Sequence, residues 1–487
     1  MNQIDWKWLY SRAVQLFWLL FFVTLPVTSF PLFPGDVGGR TLVRPLSIYP
    51  LAVLLVLLTI PRLITRRLPR TFTPLIAFVL IALISSFFAF TSDLEAFRGV
   101  TPLSRLVRNL AALGIGLAFY FTTVLLHDTW VDLSRSLRWL YLGLGIALLW
   151  GTIQIPIVLF NPHGYYKLIN SIQAFISTRK LFTTRISGMT FEPKWFAEQI
   201  CFLLLPWLIT SVLTDRSSFK YRWKRVTVEW VMLLWAVVVL LFTYSRSGMF
   251  ILALLIIVAY FIYRSRSHMN PKVQRKTPQR RMLEIGTIVL VLLTTFVVVG
   301  SQNPYFSRLW RYWTEAKSRN RTYLEFIAVE QRLVYWQTAQ RIYDNAPWLG
   351  VGLGNYAFYF DDALPNLPWH TQREIVRQIT PSEGRDRLIT PKNLPARLIA
   401  ETGVLGTGTF LVFLLSITGC ALYLWYSPSK QQQFWGLASF LALIVFAFII
   451  FSFDSFALPN MWIVFGLIST AAHLPDPGEN SPSINAG

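Results

Sequence analysis

The sequence predicts an all-α membrane protein, a helical bundle of about twelve transmembrane helices with one large polar loop. Two observations lead to this prediction. Of 487 residues, 54% are hydrophobic and 14% are charged, which is the usage of a multi-pass membrane protein and excludes an ordinary soluble domain. Apolar stretches also recur along the chain at short intervals, until a polar segment interrupts them over residues 301–395.

The apolar stretches have about the length of a membrane helix, because a hydrocarbon core of roughly 30 Å needs about 20 residues. In chain order they cover residues 13–34, 45–60, 72–92, 106–126, 139–160, 194–214, 226–244, 246–263, 283–300, 396–425, 434–451 and 457–474. The first follows Lys7 and Arg12 as a signal sequence would, but it is long and no small-x-small cleavage site follows it. We therefore expect it to be retained as a span.

The distribution of basic residues predicts the orientation of the bundle. With the N-terminus in the cytoplasm, the inside loops hold most of the Lys and Arg residues, above all the run from Arg264 to Arg281. The short outside loops hold few, as the positive-inside rule requires. Both termini are then predicted to be cytoplasmic and residues 301–395 extracytoplasmic. This topology accounts for most of the formal net charge of +21, so nucleic acid is not an expected partner.

Four segments follow from this pattern. Residues 1–300 are predicted to form about nine membrane helices, residues 301–395 the large helical loop, and residues 396–474 about three more helices. Residues 475–487 are rich in Pro, Gly, Ser and Asn and are predicted to be a disordered cytoplasmic tail. Five scattered His residues lack metal-ligand spacing, so neither a metal site nor a cofactor is expected.

The polar segment contains one predicted amphipathic helix. Leu333, Trp336, Ala339 and Tyr343 recur at helical spacing, and the pattern ends at Asn345-Ala346-Pro347. Upstream, residues 305–323 mix aromatic and basic side chains, a composition that favours the membrane interface and contact with lipid headgroups.

Two arginines are candidates for binding an anionic substrate. Arg246 lies in Thr243-Tyr244-Ser245-Arg246-Ser247-Gly248, where two apolar helices meet with almost no loop, and Arg332 lies at the start of the amphipathic helix. Either could be an interfacial anchor or a solvated charge, which is the common fate of arginine at such places. If both meet at the outer surface, their planar guanidinium groups would instead bind a diphosphate.

Glycines and carboxylates near the outer surface form a second group of candidates. Gly350-Val351-Gly352-Leu353-Gly354 follows a helix and lacks the lysine of a phosphate-binding loop, so it is interpreted as a tight turn against the bundle.

Glu198 and Glu401 lie about a turn inside predicted spans, where an ionisable group is a functional candidate or pairs with Lys194 or Arg397. Glu192, just outside, is expected to contact substrate.

Three of these stretches together resemble the O-antigen ligase and polymerase superfamily of membrane glycosyltransferases. They are Ser245-Arg246-Ser247-Gly248, then Arg332-x-x-x-Trp336 followed by Asp344 to Asn355, and then Lys392-Asn393 followed by Gly403-Val404-Leu405-Gly406. The resemblance implies a bundle similar to C-type glycosyltransferases, whose outer cavity accepts a glycan on polyprenyl diphosphate without metal or nucleotide sugar.

The resemblance also implies roles for individual residues. Arg246 and Arg332 would bind the diphosphate, and further substrate contacts are expected from Arg185, Trp336, Gly352 and Asn393. Ligases of this family usually place a histidine where this chain has Lys392. Lys392 could supply a cation to the leaving diphosphate, while His370 or Glu192 takes the acceptor proton, or transferase activity has been lost.

The function expected from these residues is transfer of a saccharide from a lipid diphosphate to an acceptor hydroxyl at the plasma (inner) membrane. The acceptor could be lipid A core, a second lipid-linked glycan or a protein hydroxyl, which leaves ligase and polymerase open.

One alternative is a transporter, since similar proteins have been connected with inorganic carbon uptake. A transporter would place ionisable sites near the midplane, whereas the charges here lie near the outer face. Another alternative is a non-catalytic assembly scaffold.

Cysteine labelling tests the predicted orientation. In a background carrying Cys201→Ala and Cys420→Ala, a Lys317→Cys variant should react with a membrane-impermeant maleimide added outside intact cells. Lys276→Cys is the matched control and should react only after permeabilisation, because it lies in the predicted cytoplasmic loop. The reverse labelling pattern would overturn the topology.

Overall fold

A computed structural model of the chain describes residues 6–32, 43–90, 94–219, 221–223, 226–269, 300–301, 303–304, 306–307, 312–313, 323, 330–365, 373–380 and 388–476. These residues are mostly helical. The helices are α1 (Trp6–Val23), α2 (Ile48–Thr65), α3 (Phe72–Phe90), α4 (Pro102–Leu126), α5 (Trp130–Phe160), α6 (His163–Ile176), α7 (Pro193–Thr214), α8 (Val228–Phe242), α9 (Arg246–Met269), α10 (Glu330–Asn345), α11 (Arg373–Ile379), α12 (Leu394–Tyr426), α13 (Lys430–Ile449) and α14 (Pro459–His473). A two-residue antiparallel pairing joins β1 (Arg222–Trp223) to β2 (Val226–Thr227).

Eight of the described helices are long and apolar enough to cross a membrane, namely α2, α3, α4, α5, α7, α9, α12 and α13. The prediction of a helical, multi-pass membrane protein is therefore confirmed. Each predicted apolar stretch overlaps a helix, except 283–300, of which residues 283–299 lie outside the described residues. The count of about twelve spans stays a prediction, as does the tail, of which residues 477–487 also lie outside the described part.

Local sequence fixes where two of the long helices begin. Thr101 precedes α4, and its side chain accepts a hydrogen bond from the N–H of Ser104 at 3.2 Å. Asn393 precedes α12 and accepts in the same way from Ala396 at 3.1 Å. Each helix has a proline in its first two positions, where the missing N–H has no helical partner to lose.

The chain forms two compact units, and the first comprises residues 1–25, 32–136 and 321–487. Aromatic rings fill much of its interior. Neighbouring rings lie with centroids 4.9 to 6.1 Å apart in the series Phe78, Phe410, Phe413, Phe465 and Phe446. Because these rings come from α3, α12, α13 and α14, they pack the four helices into one core.

Helix α10 packs against the beginning of α12 in the same unit. Its buried side chains are Val334, Tyr335, Thr338, Ala339 and Ile342, which meet the small side chains of Ala396 and Ala400. The predicted helix and its end at Asn345 are confirmed, but Leu333 and Trp336, which the periodicity grouped with Ala339, are exposed. Apolar residues occur on more than one face of α10, so the period alone does not identify the face that meets α12.

The second unit comprises residues 26–31 and 137–320. Buried polar side chains attach its loops to its helices. Gln154 of α5 accepts the N–H groups of Ser187 and Gly188, each at 3.0 Å, and donates to the carbonyl of Gly188 at 2.9 Å. Glu229 at the start of α8 accepts the hydroxyl of Ser217 at 2.8 Å. These bonds satisfy groups whose burial without a partner would be costly.

A chain of hydrogen bonds in the first unit ties α1 to the connection between α4 and α5. His127 Nδ1 lies 2.6 Å from the carbonyl oxygen of Thr123, and Nε2 lies 2.7 Å from Ser136 Oγ. Since a carbonyl only accepts, Nδ1 carries the proton and Nε2 accepts from the serine hydroxyl. Ser136 in turn accepts from Trp18 Nε1 at 2.7 Å. Burial lowers the pKa of His127 to about 4, so the ring is neutral.

We expect acidification to destabilise the protein through His127. Between its unfolded pKa of 6.5 and its folded pKa of about 4, only the unfolded chain binds the proton. The contribution of His127 to the free energy of unfolding should therefore fall by about 1.4 kcal/mol for each pH unit lost in this window. Thermal denaturation of the detergent-solubilised protein measures it. His127→Gln, which cannot titrate, should show a shallower dependence, and an equal slope in both proteins would contradict the assignment.

Candidate functional site

Helix α12 is interrupted at Gly403, and the loop that follows α10 fills the interruption. Gly403 has φ 60° and ψ −163°, a conformation essentially limited to glycine. A broken helix leaves carbonyl groups before the break and N–H groups after it without helical partners. Residues 347–354, here called the glycine loop, supply the missing partners. The hydrogen bonds are Val351 N–H to Ala400 O (3.0 Å), Gly352 N–H to Glu401 O (2.9 Å), Val404 N–H to Pro347 O (2.8 Å) and Leu405 N–H to Trp348 O (3.2 Å).

The glycine loop also lies directly against α3. Gly352 has φ 86°, and a Cβ built on it would lie 2.6 Å from the Cβ of Ala89. The next N–H, that of Leu353, donates to the hydroxyl of Ser86 at 3.1 Å. The interpretation of the glycines as a tight turn against the bundle is therefore confirmed. Binding of substrate by Gly352 stays a prediction, and its N–H already donates to Glu401.

A buried arginine fixes the first turns of α12. Arg397 Nε donates to Glu401 Oε2 at 2.8 Å, and the two side chains are 6% and 2% exposed. The same guanidinium donates through Nη1 to the carbonyl of Asp454 at 2.6 Å and through Nη2 to Asn109 Oδ1. Of the alternatives left open for Glu401, pairing with Arg397 is the one observed. Every nitrogen of Arg397 is thus engaged inside the protein.

The network continues into the glycine loop through α4. Arg105 Nε donates to the carbonyl of Gly354 at 3.0 Å, and Asn109 Nδ2 donates to the carbonyl of Arg105 at 2.8 Å. Asn109 therefore links Arg105 with Arg397. Removing one partner of such a buried charge pair typically costs about 3–5 kcal/mol. The network accordingly holds α4, α12 and the glycine loop in one arrangement.

Next to this buried network lies a partly exposed group of five residues, here called the Arg332 cluster: Arg332, Tyr335, Glu374, Lys392 and Asp454. Lys392 Nζ forms an ion pair with Glu374 Oε1 and lies 5.5 Å from the centre of the Tyr335 ring. The backbone N–H of Lys392 donates to Asp454 Oδ2 at 2.8 Å, which helps to hold the left-handed φ of 51° at Lys392. Residues from helices and from the connections between them therefore meet here.

Tyr335 anchors the cluster to the core. Its ring is buried, and its hydroxyl donates to Glu374 Oε1 at 3.2 Å. Burial, and then the neighbouring charge of Glu374, raise the pKa of Tyr335. The phenol therefore keeps its proton at neutral pH and remains a hydrogen-bond donor to the carboxylate.

Arg332 differs from Arg397 in having donors left over. Its side chain is exposed, and Nη1 donates to the carbonyl of Phe451 at 3.0 Å. Within the described ranges, Nε and Nη2 of Arg332 have no hydrogen-bond partner. Phe451 and Asp454 belong to the same short connection between α13 and α14, so this connection holds both Arg332 and Lys392.

The other site residues predicted for this unit are placed as follows. Trp336 lies one turn after Arg332, and both side chains are exposed. Asn393 caps α12 through its side chain. His370 lies outside the described residues. The substrate roles of these residues stay predictions.

The remaining predicted residues belong to the second unit. Arg246 is the first residue of α9 and follows α8 after a turn of three residues, which confirms the predicted close connection.

Arg185 lies over the ring of Phe182 at 5.0 Å, and Glu192 pairs with Arg179 at 3.3 Å. Glu198 pairs with Lys194 at 3.8 Å, the structural alternative of those left open. The diphosphate clamp of Arg246 and Arg332 stays a prediction, since they belong to different units.

Sequence reasoning missed two carboxylates of the Arg332 cluster. Asp454 could have been noticed, because it is the one charged residue in Phe451-Ser452-Phe453-Asp454-Ser455-Phe456, a connection between two apolar stretches. Glu374 stands among many charged residues of the polar segment, and no local pattern distinguishes it.

No grouping of His, Cys, Asp or Glu that could hold a metal ion occurs among the residues described.

Residues 231–411 match the family model described as O-antigen ligase. The matched range includes Arg246, Arg332, the glycine loop, Lys392 and the break at Gly403, so it confirms the resemblance in all three stretches that suggested it. A comparison with curated proteins finds no match. The family match indicates a membrane enzyme of glycosyl transfer that acts on lipid-linked saccharides in polysaccharide assembly.

Replacing Gly403 should destabilise the protein. In Gly403→Ala the new Cβ would lie 2.5 Å from the Trp348 carbonyl, and backbone strain alone costs about 1–3 kcal/mol. Gly408→Ala is the matched control, because it lies in the same helix with no atom within 4 Å of a new Cβ. Thermal denaturation in detergent should show a lower midpoint for Gly403→Ala and an equal or slightly higher one for Gly408→Ala. Equal midpoints for Gly403→Ala and wild type would contradict the role of the break.

Proposed function

We propose that this protein transfers a saccharide from a polyprenyl diphosphate to an acceptor hydroxyl during assembly of a surface polysaccharide. The observation that carries the proposal is Arg332, an exposed guanidinium attached through one nitrogen in a cluster fixed by α10, α12 and the α13–α14 connection. A planar guanidinium suits the oxygens of a diphosphate. The match of this region with O-antigen ligase supports the same substrate class.

In the proposed reaction the acceptor oxygen bonds to the anomeric carbon of the donor glycan. The bond between that carbon and the diphosphate oxygen breaks, and the acceptor hydroxyl loses its proton. Negative charge then develops on the leaving diphosphate, where Arg332 donates hydrogen bonds that strengthen as the charge grows. Arg246 is proposed as the second guanidinium, and neither a metal ion nor a nucleotide sugar is required.

Lys392 contributes a further positive charge to the same site. Its ammonium is held at Glu374 and over the Tyr335 ring, within the same cluster as Arg332. We propose that Trp336 offers its exposed ring to a sugar face, while Asn393 fixes the start of α12 beneath Lys392. Arg185, Gly352 and Asn393 are proposed as further contacts with the substrate. The acceptor proton is proposed to pass to a base at this site, for which the sequence suggested His370 or Glu192. The site is proposed to face away from the cytoplasm at the plasma membrane, with both chain termini cytoplasmic.

Arg332→Ala should abolish glycan transfer in a host whose own gene has been deleted. Loss of one donor to the developing charge typically lowers the rate by about 10²- to 10³-fold. Arg332→Lys should restore only part of it, because a point charge cannot reproduce the planar fork. Surface polysaccharide resolved by length on a gel is the measurement. Loss of long chains indicates a polymerase, and loss of all attached chains a ligase.

Arg341→Ala is the matched control, since it removes an exposed guanidinium from the same helix and should leave the polysaccharide unchanged. The protein level of each variant in membranes must equal that of the wild type. A stable Arg332→Ala protein with unchanged polysaccharide would contradict the transferase proposal. Altered solute uptake in that variant would then favour a transporter.

A further inference from the structure

The Arg332 cluster contains a carboxylate that is held in place but not fully occupied. Glu374 Oε1 accepts hydrogen bonds from both the hydroxyl of Tyr335 and the ammonium of Lys392. Its second oxygen, Oε2, accepts no hydrogen bond within the described part of the chain. The Glu374 side chain is 32% exposed, so the carboxylate is not enclosed in the core.

The proposed transfer requires a group that takes the proton of the acceptor hydroxyl. Lys392 cannot do so while it carries its own proton as an ammonium, and Arg332 remains charged throughout. Tyr335 keeps its proton and so cannot accept another. A carboxylate is the remaining type of proton acceptor in the cluster.

The cluster and the buried network of Arg397 together contain three carboxylates among the described residues, and they are not equivalent. Glu401 is 2% exposed and paired with Arg397, so a substrate cannot reach it. Asp454 Oδ2 accepts a hydrogen bond from the backbone N–H of Lys392, and the backbone carbonyl of Asp454 accepts one from Arg397. Asp454 therefore holds the backbone at Lys392 in place. Glu374 is held by two side chains through one oxygen and is partly exposed, which is the arrangement of an oriented base.

We propose that Glu374, rather than His370 or Glu192, is the general base of the transfer, positioned by Tyr335 and Lys392. The step rests on the proposed function. Glu374 Oε2 takes the proton as the acceptor oxygen bonds to the anomeric carbon, and the electron pair of the broken bond leaves with the diphosphate. The carboxylate becomes neutral at the moment when the diphosphate gains charge. Lys392, released from part of its attraction to Glu374, then stands as a cation beside the leaving group.

The test uses membranes from the host with its own gene deleted, which contain the native lipid-linked glycan and acceptor, with each full-length variant supplied from a plasmid. The rate of glycan transfer is followed on a gel. Glu374→Gln keeps the shape of the side chain and an oxygen for Tyr335, but it cannot take a proton. We expect the rate to fall by about 10²- to 10⁴-fold, with retention of the lipid-linked glycan by the purified variant unchanged.

Three further variants make the result specific. Glu374→Asp should retain part of the activity, because it keeps a carboxylate that can take a proton. Glu374→Ala should regain activity in proportion to added formate, which a structural role would not show. Asp362→Asn, which removes an exposed carboxylate from the same unit, should match the wild type.

The possible outcomes separate this inference from the proposed function. Activity of Glu374→Gln near the wild-type rate, or an equal loss of glycan binding, overturns the role of Glu374 as base. Loss in Asp454→Asn with Glu374→Gln still active assigns the base to Asp454 and also overturns it. If Arg332→Ala transfers glycan as well as the wild type does, the transferase proposal itself fails, whatever Glu374 does.

Discussion

The interruption of α12 at Gly403 is the constraint on which the first unit depends. In a membrane protein, backbone groups that lose their helical partners find no water to replace them, and each unsatisfied group costs several kcal/mol. The glycine loop satisfies groups on both sides of the break, and it does so only with glycine at the positions where the backbone turns left-handed. Because the loop directly follows α10, the same bonds place α10 against α12, and hence Arg332 near Lys392.

Two arginines in this unit illustrate how surroundings decide a role. Arg397 has a protein partner for each of its nitrogens and is almost fully buried, so it holds helices together. Arg332 uses one nitrogen for a carbonyl and is exposed. An exposed arginine attached at one point combines a fixed position with donors that a ligand can use, which suits recognition of an anion better than either a free or a saturated side chain.

Most of the fold could be predicted from the sequence, whereas only part of the site could. Spans were predictable because apolar runs of this length seldom occur outside membrane helices, and Gly350 to Gly354 could be interpreted as a turn because a helix ends at Asn345 just before it. The buried face of α10 was not predictable, since that depends on Ala396 and Ala400, far along the chain. Glu374 and Tyr335 were missed for the same reason, because their importance comes from contact with Lys392 and from no local motif.

Some partners of the glycine loop are synthesised before the loop itself, and others are synthesised after it. The loop leaves the ribosome after α3 and α4, so Ser86 and Arg105 are already present when it emerges. Its partners in α12, from Ala400 to Leu405, lie further along the chain, and until they are made half of its arrangement has nothing to bind. The loop can therefore settle only after α12 has entered the membrane. The Arg332 cluster also includes Lys392 and Asp454, which are made after the loop, so a nascent chain that ends before the α13–α14 connection cannot form it.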